Sequence, residues 1–166
     1  MRNKTRSMVH GAIIAALYVV LTHLQNLIFP DSANLAVQFR ASEALCVLAF
    51  FTPAAIPGLT IGCFLFNLTS GAALPLDFLI GSLATLGAAI CMWKSRNLTI
   101  KGYPFLGMLM PALWNIPLVG WELCIYVGGG FIINAIGVAI GELAVLFSLG
   151  SVVFYAVRSH RQHLKL

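Results

Sequence analysis

"FIINAIGVAIGELAVLFSLGSVVFYAV", residues 131–157, carries a single carboxylate, Glu142, and a single amide, Asn134. A membrane span needs about 20 apolar residues, so this run is long enough to cross a bilayer as one helix. Its apolar residues follow neither strand alternation nor a heptad, and the bilayer is their natural solvent. Glu142 lies eleven residues in from Phe131, about 16 Å along a helix at 1.5 Å per residue. An acid at that depth costs about 2.5–3.5 kcal/mol on insertion scales, and such residues usually face the interior of a bundle.

The rest of the chain resembles this run. Apolar residues make up 60% of the 166 and charged residues 9%, against about 25% charged in a soluble domain. The length allows five or six spans and almost nothing outside the membrane. The expected class is an all-α integral membrane protein, a single membrane domain over residues 1–166 built as a six-helix transmembrane bundle. Its spans are expected at about 9–29, 35–51, 53–68, 77–93, 103–127 and 131–157. The first is too long for a signal-peptide core of about 7–15 residues and reads as a retained span. Pro53 and Pro57 in "FTPAAIPG" separate the second from the third, "SGAALPLD" the third from the fourth, and "KSRNLTIKG" the fourth from the fifth. "GGG" at 128–130 breaks the last two.

Six spans with both termini in the cytoplasm put Arg2, Lys4, Arg6, Lys94, Arg96, Lys101, Arg158, Arg161 and Lys165 inside and only Arg40 outside. Five spans would place a basic cluster on the wrong face. The net charge of +5 therefore reports topology and contact with anionic lipid, with no case for nucleic acid. The acids segregate the other way. Asp31, Glu43 and Asp77 fall at the outer side, Glu122 in the outer part of the fifth span and Glu142 near mid-membrane. That distribution is the footprint of an outward-opening pocket for a cation or a donor-rich ligand.

"NIPLVGWEL", residues 115–123, echoes the opening stretch by setting an asparagine ahead of a Glu-Leu pair. Asn115 and Glu122 are seven apart and share a helix face, while Asn134 and Glu142 are eight apart on adjoining faces. If the two spans are neighbours, the four groups converge on one cavity. The competing reading is an interhelical hydrogen-bond clamp, although two carboxylates are more than a clamp requires. Arg40 and Glu43 sit at i,i+3, as an interfacial ion pair or as the rim of the pocket. Trp114 and Trp121 precede Asn115 and Glu122 by one position each, as interfacial anchors or as platforms for a planar ligand. Ala12 and Ala16 form a small-residue pair at i,i+4 in the first span, and Gly137 and Gly141 repeat the spacing in the sixth. No phosphate-binding G-x-x-x-x-G-K-[ST] loop, HExxH or G-x-S-x-G is present, which argues against ATP hydrolysis or another enzymatic activity. The four cysteines are scattered without metal-ligand spacing, and neither metal nor cofactor is expected.

"VQFRASEALCVLAFFTPAAIPGLTIGCFLFNL", followed by "DFLIGSLATL" and the two asparagine–glutamate segments, resembles the QueT family. These are substrate-binding S components of energy-coupling factor (ECF) transporters, assigned to queuosine precursors. The resemblance covers nearly the whole chain. It implies a bacterial plasma-membrane subunit that captures 7-aminomethyl-7-deazaguanine or a close relative from outside. It would then topple in the membrane, driven by one coupling transmembrane subunit and two ATPase subunits. The Ala12/Ala16 pair matches the alanine motif by which first spans of S components dock on the coupling subunit. The implied site has Glu43, Asn115, Glu122, Asn134 and Glu142 as its polar core, Arg40, Asn67 and Asp77 near the outer mouth, and Trp114 or Trp121 for stacking. Two rivals stand beside this reading: a stand-alone proton-coupled carrier, and a structural assembly subunit whose acids only clamp helices.

Overall fold

A computed structural model describes residues 2–30, 39–71 and 73–164. Asp31 and the first residues of the expected second span, 35–38, lie outside the described residues. Within them the chain is helical. It runs as α1 (Arg2–Ile28), a 3-10 helix (Ala41–Phe50), α2 (Ala55–Thr69), α3 (Asp77–Ser95), α4 (Phe105–Met108), α5 (Met110–Tyr126), α6 (Phe131–Val145), a π turn (Leu146–Gly150) and α7 (Ser151–Leu164). The last three form one continuous rod, of which Phe131–His160 is apolar enough to cross a membrane.

Proline and glycine set most of the boundaries. α1 stops at Ile28, just ahead of Pro30, because a proline drives the residue before it out of the helical region. Pro57 falls in the first turn of α2, where the missing N–H would have had no partner. Gly128 and Gly129 both take positive φ between α5 and α6, a conformation that glycine reaches without a Cβ clash.

α1, α2, α3, α5 and α6 pack consecutively, each against the next, and the 3-10 helix runs through the middle. It touches α1, α2, α3, α6, α7 and the π turn, which is why eight of its ten residues are buried. Glycines let the outer helices close on one another. A Cβ on Gly58 would stand 2.6 Å from the Gly11 carbonyl oxygen, and one on Gly62 would stand 2.7 Å from Tyr18 Cβ. A Cβ on Gly87 would meet the Trp114 ring at 2.5 Å. The main core gathers Tyr18, Val47, Leu59, Phe66, Met92 and Leu146, with a smaller cluster at Val119, Leu123 and Val138.

The outside is as apolar as the inside. Leu17, Leu24, Ile61, Leu83, Leu113, Ile132, Ile136 and Val152 are all exposed, whereas Glu43, Asp77, Glu122 and Glu142 are buried. Soluble monomers rarely show such continuous apolar surface, and a bilayer would cover it. Among the described residues four helices are long and apolar enough to cross a membrane: Lys4–Ile28, Asp77–Ser95, Phe105–Tyr126 and Phe131–His160. The expected second and third spans are shorter. The 3-10 helix of ten residues reaches about 20 Å at 2.0 Å per residue. The fifteen residues of α2 reach about 22 Å, against a hydrocarbon core of about 30 Å. Arg40 at one end and Pro53 at the other limit the first of these, so each reaches partway across.

Candidate functional site

The polar cluster is built on the first turn of the 3-10 helix. Arg40 is its N-cap in extended conformation, and its carbonyl accepts the Glu43 N–H at 3.0 Å. Three residues per turn bring i and i+3 into line, so Glu43 and Cys46 stack on one ridge. Cys46 Sγ donates to Glu43 Oε2 at 3.0 Å, and the Tyr18 hydroxyl of α1 donates to Glu43 Oε1. One turn further along α1, the Thr22 hydroxyl meets Ser42 Oγ at 2.6 Å. Gln25 accepts the Ala41 N–H at 2.6 Å. α1 thus holds the start of the 3-10 helix through Tyr18, Thr22 and Gln25.

α2 and α3 supply the next wall. Arg40 reaches Asp77 across 4.0 Å, lies 5.5 Å over the Phe66 ring and donates to Cys63 Sγ at 3.9 Å. The i,i+3 spacing offered Glu43 as an ion-pair partner or a fellow rim residue, and Arg40 also pairs with the first residue of α3. Asn67 Nδ2 donates to the Asp77 carbonyl at 2.9 Å and joins α2 to α3. Gly81 makes room for that amide, since a Cβ there would stand 2.9 Å from it.

α5 and α6 close the far side. Asn115 Nδ2 donates to Glu142 Oε1 at 2.6 Å, an interhelical hydrogen bond that joins the two echoing segments. Glu122 is 0% exposed and neither of its oxygens meets a donor. Asp77 and Arg40 are the charged groups around it, while Glu43 and Arg40 surround Glu142. Arg40 is therefore common to two acid pairs, Asp77/Glu122 and Glu43/Glu142.

Four carboxyl groups around one guanidinium leave acceptors in excess. Glu122 Oε1 and Oε2, Glu142 Oε2, Asp77 Oδ1 and Asn67 Oδ1 are buried without a partner. Every one of these atoms is an oxygen. Buried polar groups are nearly always hydrogen-bonded, and leaving a charged one unpaired costs more than an ordinary lost bond. An arrangement short of donors alone is complementary to a molecule that brings donors or positive charge.

Three of the expected site residues stand apart. Trp114 is 39% exposed, lies against Gly87 and donates to Cys91 Sγ at 3.4 Å. Trp121 is 56% exposed on the outer surface. A helix turns by about 100° per residue, so facing Asn115 and Glu122 inward turns both tryptophans out. Asn134 is buried but donates to the Gly128 carbonyl at 3.0 Å and to Cys124 Sγ at 3.4 Å. It ties the start of α6 to the end of α5. Tyr18, Thr22 and Gln25 are the residues that the sequence reading passed over, although their i, i+4, i+7 spacing marks one face of a helix.

Ala12 and Ala16 are exposed and line a groove of about 700 Å³ between α1 and α2, with Gly11, Ala15, Gly58 and Ile61. None of the clustered carboxylates lines it.

A family model described as the QueT transporter matches residues 8–159. The queuosine precursor transporter QueT of Lactococcus lactis subsp. cremoris (strain MG1363) is 40% identical over 85 residues, which cover 51% of this chain and 48% of that protein. The match thus spans about half the length of the curated relative. No solved structure matches the chain.

Proposed function

The chain belongs to the QueT transporter family, and from that premise we propose that it is the substrate-binding membrane subunit of an ATP-driven ECF importer in a bacterial plasma membrane. It spans the membrane six times with both termini in the cytoplasm, the count completed by the short 3-10 helix and α2 where the bilayer thins around them. Its ligand is 7-aminomethyl-7-deazaguanine or a close relative, taken from outside. The observation that carries this is the cluster of buried carboxylates whose open positions are all acceptors.

The ligand's groups match those positions. A guanine-like edge offers two parallel N–H donors, which suit both oxygens of one carboxylate. Neither Glu122 oxygen meets a donor, and the Asp77 carboxyl lies against it. The aminomethyl group is cationic and suits an acid with one open oxygen, as Glu142 has while Asn115 holds the other. Arg40 lies between the two pairs, within reach of the carbonyl. The rim is Glu43, Asn67 and Asp77, and Trp114 and Trp121 face lipid. The α1/α2 groove with Ala12 and Ala16 is the docking face for the coupling subunit, which in turn engages two ATPases.

Calorimetry of the solubilised protein with 7-aminomethyl-7-deazaguanine tests the proposal, alongside mass spectrometry of any small molecule that copurifies. Saturable one-to-one binding supports it. A flat titration, with no deazapurine in the purified protein, sinks it. Uptake into vesicles that lack any ATPase and that collapses with the proton gradient would replace it with the carrier reading.

A further inference from the structure

At the opposite end of the 3-10 helix lies a second cavity, of about 270 Å³, where α3 ends and α7 passes. Phe50, Phe51 and Phe154 form its apolar wall, and Arg96, Arg158, Asn97 and Thr99 provide its polar groups. Both guanidiniums are held in place. Arg96 lies 3.8 Å over the Trp93 ring and donates to the Trp93 carbonyl at 2.7 Å. Arg158 donates to the Gly102 carbonyl at 2.6 Å.

The turn carrying Gly102 is shaped around that contact. Ile100 and Tyr103 exchange backbone hydrogen bonds at 2.9 and 3.0 Å, which forces positive φ on Lys101 and Gly102. A Cβ on Gly102 would stand 3.0 Å from Arg158 Nη1, so glycine suits both the positive φ and the close approach. Tyr103 fastens the turn to α7 through Ser151 Oγ at 2.6 Å.

A guanidinium carries five N–H donors, and each of these two spends one on a backbone carbonyl. Among the described residues neither meets a carboxylate. The described acids, Glu43, Asp77, Glu122 and Glu142, all belong to the cluster at the other end. The carbonyl end of α3 disfavours an anion, but Arg96 caps one of those carbonyls itself. Two pre-positioned guanidiniums, an amide and a hydroxyl around a small space are the donor set for tetrahedral oxyanions.

We infer that this cavity seats a phosphate group, either the headgroup of an anionic lipid lying against the phenylalanine wall or a phosphate from solution. Basic pockets between membrane helices recognise lipid headgroups in this way.

The test uses the full chain in detergent with Trp114→Phe and Trp121→Phe, so that Trp93 alone reports. Dioleoylphosphatidylglycerol, dioleoylphosphatidylcholine and inorganic phosphate are titrated separately. A saturable change in Trp93 emission with phosphatidylglycerol, and a much weaker one with phosphatidylcholine, supports a lipid headgroup. A change with inorganic phosphate alone supports a soluble source. Arg96→Gln with Arg158→Gln abolishes either response, while Lys94→Gln, exposed on the same end of α3, leaves it unchanged. Should the double variant fail to fold, Arg158→Lys keeps the charge and loses the fork, and weakens binding about tenfold. No response to any probe, or an equal response in the arginine variants, overturns the inference.

Discussion

The 3-10 helix has a different kind of site at each end. Its N-terminal turn sits among four buried carboxyl groups and Arg40, whereas Phe50 at its C-terminus and the following Phe51 border two arginines with no acid beside them among the described residues. At the first end acceptors outnumber donors and are cut off from solvent. At the second, donors outnumber acceptors and the surroundings are open, with Asn97 and Thr99 exposed. Buried polar groups are nearly always completed by a partner, and under the proposed function an enclosed ligand completes the first end. The second can rest with water and ions until a phosphate arrives. The same helix can serve both because its middle, from Ala44 to Ala49, is packed on all sides by apolar residues.

Glu122→Gln should break the comparison most severely. The amide keeps the shape but can no longer accept two parallel N–H bonds, and affinity for 7-aminomethyl-7-deazaguanine should fall at least about 100-fold by calorimetry. Removing a buried acid that has no donor should leave the thermal midpoint unchanged or raised. A lowered midpoint with intact binding would instead mark Glu122 as a helix clamp. Glu142→Gln sharpens the division of labour within the cluster. It should weaken the aminomethyl ligand by roughly 10- to 100-fold, through loss of an ion pair, while the neutral nitrile analogue loses little. Equal losses for both ligands would refute the assignment of Glu142 to the ammonium.

Tyr18→Phe comes next. The ring continues to fill the space beside Gly62, but Glu43 loses the Tyr18 donor and keeps the Cys46 thiol. Affinity should drop about tenfold, with stability changed by about 1 kcal/mol. A wild-type titration from this variant would show that Glu43 needs no positioning.

How much of this could be read from sequence follows from what each residue contrasts with. Acids and an arginine stand out in apolar runs, so Arg40, Glu43, Asp77, Glu122 and Glu142 were legible as one set. The breaks at Pro53, Pro57 and Gly128–Gly130 were equally plain. Tyr18 was not, because tyrosine in an apolar run reads as packing or as an interfacial anchor. The 3-10 winding was hidden too. "ASEALCVLAF" has ordinary α-helical propensities, and nothing in them marks the tighter coil that aligns Glu43 with Cys46. The tryptophans were left open as interfacial anchors or stacking platforms, and their exposure agrees with the anchors. Spacing of seven aligned them with each other, and the one-residue offset from Asn115 and Glu122 already implied a rotation of about 100° away from the polar cluster.

The smallest effect on affinity separates the polar cluster from the α1/α2 groove. Ala12 and Ala16 are exposed and touch none of the carboxylates, so Ala12→Leu with Ala16→Leu should leave ligand binding in detergent within error of wild type. The two added side chains fill the groove, however, and small residues are what allow another helix to approach closely. Uptake by cells, and recovery of the coupling subunit with the tagged chain, should therefore be lost together. Uptake at the wild-type rate would place the docking face elsewhere, whereas lost binding would mean that α1 transmits strain through Tyr18 to Glu43. The same α1 face that carries Gly11, Ile14, Ala15 and Tyr18 into the core sets Ala12 and Ala16 beside it. A partner seated in the groove thus lies one helix away from the hydroxyl that holds Glu43.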